Sequence, residues 1–335
     1  MQKPLISILT PFKNTDSYIY ECLDSILNQT YTHWELVIVD DGSTDTSYQI
    51  VSDFAKKDER VKLFKNPGQG IIAALQFAFE KSSGSYITRM DSDDIMSPMK
   101  LEVLLNNLLH FGKGHLATGL VSYFSKEGLS DGYKQYEKWL NRLTQTGANY
   151  SEIYKECVIP SPCWMVHKDD LLACDAFYPD DYPEDYDLAF RFYQQKLKVI
   201  PCKQVLHFWR DYSTRTSRTH ENYAQNYFLE LKLRYFLDLN YDATQPLVIW
   251  GAGFKGKSIA KLLIERQVGF IWICNNPKKI GKHIYHQELF GFNYLEELKR
   301  YQCIVTVANK TSQQSIRDFF RRHQKVAMED YYFFC

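Results

Sequence analysis

The sequence lacks long hydrophobic runs. None of its stretches approaches the roughly 18 uninterrupted apolar residues that a membrane-spanning helix needs. The apolar run near the N-terminus is too short for a signal peptide and predicts a buried first strand instead. The eight cysteines include no C-x-x-C pair and no zinc-like spacing, which indicates reduced thiols with structural roles. We therefore expect a cytoplasmic protein without a transmembrane segment.

The sequence also lacks net charge. Its 40 lysines and arginines balance 40 aspartates and glutamates, which argues against binding to polyanions through bulk charge alone but allows a local basic patch. Hydrophobic residues make up 45% of the chain and charged residues 24%. These values are typical of globular proteins and exclude wholesale disorder.

The length favours two domains, since a single hydrophobic core stops growing near roughly 250–300 residues. Residues 241–246 form a polar segment that ends in proline and is the best linker candidate. A new strand pattern, Leu247–Trp250, follows directly. We predict a first domain over residues 1–242 and a smaller α/β domain over residues 243–335.

The first hundred residues alternate short β-branched runs with helical patterns, which predicts a parallel sheet with crossover helices. The predicted strands are residues 5–10, 35–39, 61–64 and 86–89, and the predicted helices are residues 18–27, 47–56 and 71–81. Two of these strands run into acidic loops, at residues 40–45 and 91–94. Because open α/β sheets bind ligands at the carboxyl ends of their strands, we expect the site there.

The strongest single signal is the acidic cluster Asp91-Ser92-Asp93-Asp94, directly after a buried strand. Adjacent carboxylates repel one another, so a sheet edge that carries three of them usually has a compensating cation. Aspartate is a hard oxygen ligand suited to Mg²⁺ or Mn²⁺, and such a metal can hold a diphosphate. For this segment alone, a solvated acidic turn that caps the next helix is the alternative.

Four segments in order along the chain resemble glycosyltransferase family 2: Ser7–Asn14, Cys22–Thr30, Glu35–Asp45 and the acidic cluster. The resemblance extends to about residue 220. It implies the GT-A fold, which is a Rossmann-like mixed α/β sheet. It also implies metal-dependent, inverting transfer of a hexose from a nucleotide sugar, with a UDP-hexose as the expected donor and Mn²⁺ or Mg²⁺ as the expected metal.

The same resemblance implies roles for individual residues in donor binding. Four residues match the nucleobase pocket of the family, the first three as a turn: Thr10, Pro11, Phe12 and Asp41. In that pocket a carboxylate accepts the imide proton of uracil. Asp91 would lie near the ribose, and Asp93 would bind the metal at the diphosphate. The glycine-rich turn at Gly70 matches a donor contact, but the basic residue that follows it in many relatives is missing, which leaves the donor open.

Glu184 and Asp185 resemble the E-D motif of the family at the start of a helix. The resemblance makes them the catalytic pair, with Asp185 as the general base. The helix macrodipole would keep that carboxylate ionised, and simple capping of the helix is the alternative. For Trp164 the sequence leaves two positions open: stacked against the face of the donor sugar, or buried in the hydrophobic core.

A basic segment follows the last predicted strand of the first domain, with four cationic groups within eleven residues: Arg210, Arg215, Arg218 and His220. They could clamp the diphosphate, with Arg210 as the donor-binding residue, or meet an anionic acceptor. A solvated basic loop is the alternative. Tyr212 stands where many relatives have a histidine that helps at the metal, and His207 and His220 are the nearby candidates to replace that histidine.

The second domain opens with Gly251, Gly253 and Gly256 in a G-x-G-x-x-G pattern between a predicted strand and a predicted helix. This is the context of the dinucleotide fingerprint, but the next strand ends in Asn275-Asn276, with no acidic residue for a ribose hydroxyl. Three interpretations stay open: an NAD(P)-dependent oxidoreductase, a Rossmann-like module for packing or homodimer formation, and a module that recognises the acceptor.

The whole chain resembles, more modestly, one branch of family 2 that contains a tRNA-queuosine β-galactosyltransferase, once labelled β-1,3-N-acetylglucosaminyltransferase-like. This branch implies a UDP-hexose donor and a queuosine-modified tRNA acceptor. A glycan or a lipid-linked saccharide is the commoner acceptor in the family.

Overall fold

A computed structural model describes residues 3–215 and 228–335 of the chain. The described residues form two compact units. The first unit consists of residues from Met1–Asn149 and Val158–Arg218, and the second of residues from Tyr150–Cys157 and Thr219–Cys335. No described helix is long and apolar enough to cross a membrane.

The first unit begins with regular alternation of strands and helices. These elements are β1 (Ile6–Phe12), α1 (Ile19–Leu27), β2 (Trp34–Asp40), α2 (Ser47–Ala55), β3 (Val61–Lys65), α3 (Gly70–Lys81), β4 (Tyr86–Arg89), β5 (Ile95–Met96) and α4 (Lys100–Phe111). The remaining elements of the unit are β6 (His115–Phe124), α5 (Asp131–Thr146), β7 (Trp164–His167), α6 (Lys168–Ala173), α7 (Glu184–Gln194) and β8 (Lys198–Arg210).

The strands of the first unit form one mixed sheet in the order β3-β2-β1-β4-β7-β6-β8-β5. The pairs among β3, β2, β1 and β4 are parallel, whereas β7 is antiparallel to both of its neighbours. Every residue of β1 and β2 is buried, as expected for central strands covered on both faces. The predicted α/β fold class is confirmed.

Helices of the first unit pack against the sheet through apolar faces. Helix α1 buries Ile19, Cys22, Leu23 and Ile26, which recur at helical spacing. Helix α5 buries Leu140 and Leu143, and its aromatic residues Tyr136 and Trp139 pack partly buried against the core.

The second unit is a smaller α/β structure. Its elements are α8 (Phe228–Leu239), β9 (Leu247–Trp250), α9 (Phe254–Glu265), β10 (Ile271–Cys274), β11 (His283–Ile284), β12 (Gln287–Gly291), the 3₁₀ helix Phe292–Glu297, β13 (Gln302–Val305), α10 (Lys310–Arg322) and β14 (Tyr331–Phe333). The sheet order is β11-β12-β10-β9-β13-β14. All pairs except β11 with β12 are parallel, which gives the doubly wound order.

The division into units differs from the domain boundary that the sequence predicts at residue 242. Helix α8 and residues 150–157 both group with the second unit. Aromatic packing explains this: Tyr154 stacks on Phe334 with ring centroids 5.3 Å apart, and Phe236 of α8 meets the edge of Tyr332 at 4.9 Å.

Candidate active site

Strand β1 brings two acidic loops together at the carboxyl ends of the central strands of the first sheet. It pairs in parallel with β2 on one side and with β4 on the other. The chain after each neighbour bonds back to β1: Asp41 N–H donates to the Phe12 carbonyl at 2.9 Å, and Met90 N–H donates to the Leu9 carbonyl at 3.0 Å. The loops after β2 and β4 therefore flank the end of β1, where the sequence predicts the site.

Asp41 is the centre of a polar pocket after β2. Its Oδ1 accepts hydrogen bonds from Asn66 Nδ2 at 2.7 Å and from the Gly70 backbone N–H at 2.8 Å, and its Oδ2 lies 3.5 Å from Lys13 Nζ. Gly70 has φ of +87°, a left-handed conformation that favours glycine. Asn66, which the sequence analysis did not single out, thus joins Asp41 and Gly70. The arrangement presents the Asp41 carboxylate, held in place by Asn66 and Gly70, to a planar polar ligand.

Thr10, Pro11 and Phe12 do not form the predicted turn. They are the last three residues of β1 and are buried. Phe12 belongs to the core of the unit. The ladder between β1 and β4 ends at Leu9, whereas Pro11 still pairs with β2. Proline is tolerated here because the side facing β4 no longer needs its missing N–H.

The acidic cluster after β4 carries three carboxylates with different exposure. The side chains of Asp91 and Asp93 are 20% and 14% exposed, and that of Asp94 is fully buried. Burial and the neighbouring carboxylate of Asp94 raise the pKa of Asp93 to about 6. Burial raises the pKa of Asp94 as well. The cluster therefore stores like-charge repulsion that a cation would relieve.

Asp94 holds the cluster to strand β8. His207 Nε2 lies 3.0 Å from Asp94 Oδ2, and the Arg210 backbone N–H donates to Asp94 Oδ1 at 2.8 Å. Antiparallel pairing of Met96 in β5 with His207 sets this alignment. Burial lowers the pKa of His207 well below its usual value, which favours the neutral ring. His207 thus holds the loop after β4 in place, and its role at a metal stays a prediction from the sequence.

Arg210 is engaged within the protein. Its Nε donates to the Asp93 carbonyl at 2.7 Å, and its Nη2 lies 2.6 Å from Glu21 Oε2. The guanidinium also lies 5.0 Å from the ring centre of Tyr18. The side chain is only 6% exposed. Through these contacts Arg210 holds the acidic loop in place. Its role in donor binding stays a prediction.

Tyr212 and Arg215 lie against Asp93 from the segment after β8. The Tyr212 hydroxyl donates to Asp93 Oδ2 at 2.9 Å. Arg215 Nε lies 4.0 Å from Asp93 Oδ2, and its Nη2 lies 3.9 Å from Asp94 Oδ2. Tyrosine thus contacts the predicted metal-binding carboxylate at the place where many relatives have histidine. Arg218 and His220 lie outside the described residues.

Arg89, the last residue of β4, joins the acidic cluster to the predicted catalytic pair. Its Nε donates to Asp91 Oδ1 at 3.0 Å, and its Nη1 donates to Glu184 Oε1 at 2.9 Å. The Arg89 side chain is 6% exposed and that of Glu184 is 8% exposed. Sequence reasoning missed Arg89. The available signal was a charged residue at the end of an otherwise apolar strand, beside the acidic cluster.

Glu184 and Asp185 are the first two residues of α7, as predicted. Glu184 is buried and ion-paired with Arg89, a geometry suited to positioning. Asp185 is more accessible, and its pKa is raised to about 7, mainly by desolvation and then by Glu184, whereas Arg89 opposes the shift. The sequence predicts that the helix terminus keeps this carboxylate ionised, whereas burial shifts its pKa in the opposite direction. A carboxylate with a pKa near neutrality suits a general base.

Trp164 has a structural role. It is 2% exposed in β7, meets the edge of Phe192 with ring centroids 5.6 Å apart, and receives at its carbonyl a hydrogen bond from the Thr88 hydroxyl. Burial on this scale leaves no face for a sugar. Of the two placements offered by the sequence, the core placement describes the structure.

The residues present fit a divalent cation that is shared with a substrate. Among the residues that the structure describes, no group of three or more histidine, cysteine, aspartate or glutamate side chains could hold a metal ion. Mg²⁺ and Mn²⁺ sites of nucleotide enzymes need no such cage, because one or two carboxylates act together with substrate phosphates. Asp93, buried among like charges, has the hard oxygen ligands for this arrangement.

Comparison with protein families identifies the first unit. Residues 7–173 match the family model described as Glycosyl transferase family 2. These residues form a glycosyltransferase family 2 domain, and over them the resemblance to this family found in the sequence is confirmed.

Curated relatives agree with this assignment. An uncharacterized glycosyltransferase of Haemophilus influenzae is 47% identical over 110 residues, which cover 32% of this chain and 44% of the relative. Glycosyltransferase GlyA of Streptococcus pneumoniae serotype 4 is 34% identical over 212 residues, 61% of this chain and 30% of GlyA. The matches thus span less than half the length of these two relatives. Since these relatives are glycosyltransferases, the alternative of an NAD(P)-dependent oxidoreductase is not supported.

Solved structures confirm the GT-A fold. S. aureus TarS 1–349 in complex with UDP-GlcNAc has a TM-score of 0.53 and 18% identity, over 78% of this chain and 72% of TarS. The mannosyltransferase PcManGT from Pyrobaculum calidifontis, in complex with GDP-Man and Mn²⁺, has a TM-score of 0.51 and 19% identity, over 71% of this chain and 64% of that enzyme.

Proposed function

We propose that this chain is a metal-dependent, inverting glycosyltransferase that moves a hexose from a UDP-sugar to a hydroxyl group of a glycan or a lipid-linked saccharide. The observation that carries the proposal is the Arg89 bridge. The buried Arg89 guanidinium forms one ion pair with Asp91 of the acidic cluster and another with Glu184 at the start of α7. Asp185 is the next residue of that helix. A donor-side group and a base are thereby held in a fixed relation, which transfer requires.

Donor binding is assigned to the loops after β2 and β4. The Asp41 carboxylate would accept a hydrogen bond from the imide N–H of the nucleobase, and Gly70 and Asn66 would orient that carboxylate. Asp91 would accept a hydrogen bond from a ribose hydroxyl. Asp93 would hold the metal. A bound metal would neutralise the charge on the departing diphosphate. The complexes of TarS with UDP-GlcNAc and of PcManGT with GDP-Man and Mn²⁺ support a nucleotide-sugar donor and a metal.

The base is assigned to Asp185. As the acceptor oxygen attacks the anomeric carbon from the face opposite the leaving group, Asp185 would take the hydroxyl proton. The bond from the anomeric carbon to the diphosphate breaks in the same displacement, which inverts the configuration. The pKa of about 7 lets Asp185 be ionised at neutral pH and still accept a proton. A tRNA acceptor, a homodimer and a cytoplasmic location stay predictions from the sequence.

The test is release of nucleoside diphosphate by the full chain with UDP-glucose, UDP-galactose, UDP-GlcNAc and GDP-mannose, each with Mn²⁺ or EDTA. We expect release from a UDP-sugar that EDTA abolishes. Asp93→Asn and Asp185→Asn should each lower the rate about 10²-fold or more. Asp53→Asn, at an exposed position of α2, is the matched control and should be as active as the wild type.

Two results would contradict the proposal. Turnover that persists in EDTA and in Asp93→Asn would exclude the metal assignment, and full activity of Asp185→Asn would exclude the base. A panel of glycan, lipid-linked and tRNA acceptors, followed by mass spectrometry of the products, then identifies the acceptor class.

A further inference from the structure

A cavity of about 780 Å³ lies in the second unit, and all of its lining residues belong to that unit. The chain after β9, β10 and β13 lines it, at the carboxyl ends of these parallel strands. Strand β9 lies between β10 and β13, at the point where the strand order reverses, which is where doubly wound sheets bind ligands. The volume is within the range of small-molecule sites, roughly 300–1,000 Å³. The proposed transfer reaction uses none of these residues.

The walls of the cavity are rich in positive charge. Among the residues that the structure describes, three lysines line it, Lys232 of α8, Lys255 in the first turn of α9 and Lys279 after β10, against a single carboxylate, Glu156. Lys232 is 4% exposed and donates to the Lys155 carbonyl at 2.8 Å. Burial lowers the pKa of Lys232, and the positive charge of Lys255 lowers it further, although Glu156 acts in the opposite sense. An anion in the cavity would relieve this repulsion between ammonium groups.

The glycines of the G-x-G-x-x-G motif give a second, independent indication of a ligand. Two of them are required by the fold: Gly251 has φ of +129°, and a Cβ at Gly256 would lie 2.0 Å from the Gly251 carbonyl oxygen. Gly253 is different. Its φ of −82° and ψ of −166° suit any residue, and a Cβ there would meet no atom of the described residues within 4 Å. Neither backbone nor packing explains a glycine at 253, but close approach of a ligand to the loop does.

The same loop supplies backbone donors. Gly253 is the N-cap residue of α9, and no side chain caps this 12-residue helix. The first backbone N–H groups of a helix attract anions, and phosphate in particular. Since Gly253 and Lys255 both line the cavity, these donors and the lysines face the same space.

We propose that this cavity binds a phosphorylated small molecule, with its phosphate at the start of α9 beside Gly253 and between Lys232 and Lys255. The ligand class is a sugar phosphate or a mononucleotide. A nicotinamide dinucleotide fits poorly, because Asn275 Oδ1 already accepts from Trp250 Nε1 at 2.7 Å and Lys279 Nζ donates to the Ala252 carbonyl at 2.7 Å. No carboxylate at the end of β10 remains for a ribose. This site does not depend on the proposed transfer.

The test is calorimetric titration of the full chain, in EDTA, with inorganic phosphate, glucose 1-phosphate and UMP. We expect one site per chain for at least one probe. Preference for glucose 1-phosphate or for UMP distinguishes the two ligand sources, and equal weak binding of all three shows that phosphate alone is recognised. Asp41→Asn, which removes the carboxylate assigned to the donor base, and Asp93→Asn should both leave this binding unchanged, because both residues belong to the first unit.

The decisive variant is Gly253→Asp. Aspartate is a favourable N-cap residue, so the melting temperature should not fall, but its charge should weaken phosphate binding about tenfold or more. Lys255→Gln should weaken binding in the same range. Lys261→Gln on α9, 69% exposed, is the matched control and should bind as the wild type. Absence of binding for every probe, or binding that Gly253→Asp leaves at wild-type strength, would overturn the proposal.

Discussion

Replacing Arg89 with methionine should damage both stability and catalysis, because two carboxylates depend on one buried guanidinium. The substitution keeps much of the side-chain volume and removes the charge. Asp91 and Glu184 lose ion pairs of 3.0 and 2.9 Å. Removing one partner of a buried pair costs about 3–5 kcal/mol. The 20% exposure of Asp91 moves the expected loss toward the lower end, about 3 kcal/mol.

The pH dependence should change as well. Arg89 lowers the pKa of Asp185, which is about 7 with Arg89 in place. Without Arg89 the pKa of Asp185 rises, so a smaller fraction of the base is ionised at a given pH. The acid limb of kcat/KM should therefore move to higher pH. Since deprotonated carboxylates lack their counter-charge in the variant, its stability loss should be larger at about pH 8 than at about pH 5.

Urea unfolding followed by circular dichroism measures the change in the free energy of unfolding. Rates of nucleoside diphosphate release over a pH series measure the position of the acid limb of kcat/KM. Arg321→Met is the control for the same substitution in an exposed pair, with side chains 75% and 46% exposed, and should change stability by less than about 1 kcal/mol. Adding Glu184→Gln to Arg89→Met should restore part of the loss. If Arg89→Met had wild-type stability and an unchanged acid limb, the proposed role of the Arg89 ion pairs would be refuted.

Two further predictions concern the donor side. Tyr212→Phe removes the hydroxyl that donates to Asp93 Oδ2 at 2.9 Å, so half-saturating Mn²⁺ should rise about 3–10-fold with little change in melting temperature; an unchanged Mn²⁺ titration would argue against this contact. Gly70→Ala forces a Cβ onto a residue with φ of +87°, which should cost about 1–2 kcal/mol and weaken donor binding through Asp41. Gly253→Ala, at φ of −82°, is its control for stability, and equal melting temperatures of the two variants would contradict the strain argument.

The sequence predicted the elements well where apolar runs are short and sharply bounded. Strands β4 and β9 have the same bounds in the structure as in the prediction. Strand β4 runs directly into the acidic loop, and β9 lies between a proline and a glycine. These boundaries are local, so local patterns suffice to find them.

The prediction missed contacts that only the tertiary fold creates. Arg89 and Glu184 are 95 residues apart, and Asp94 and His207 are 113 apart. Nothing in the local pattern of either residue of a pair points to the other, because the pairing depends on the order of strands in the sheet. The sequence thus located the acidic residues but did not reveal which cations hold them.

Assignment of Tyr150–Cys157 to the second unit has a consequence for protein engineering. The chain leaves the first unit, contributes eight residues to the second, and returns to complete strands β7 and β8. No single cut of the polypeptide therefore yields two whole units. A fragment that ends before α8 would keep Tyr154 without the Phe334 ring on which it stacks. Exchange of the second unit between related enzymes would accordingly need two coordinated crossover points in the gene.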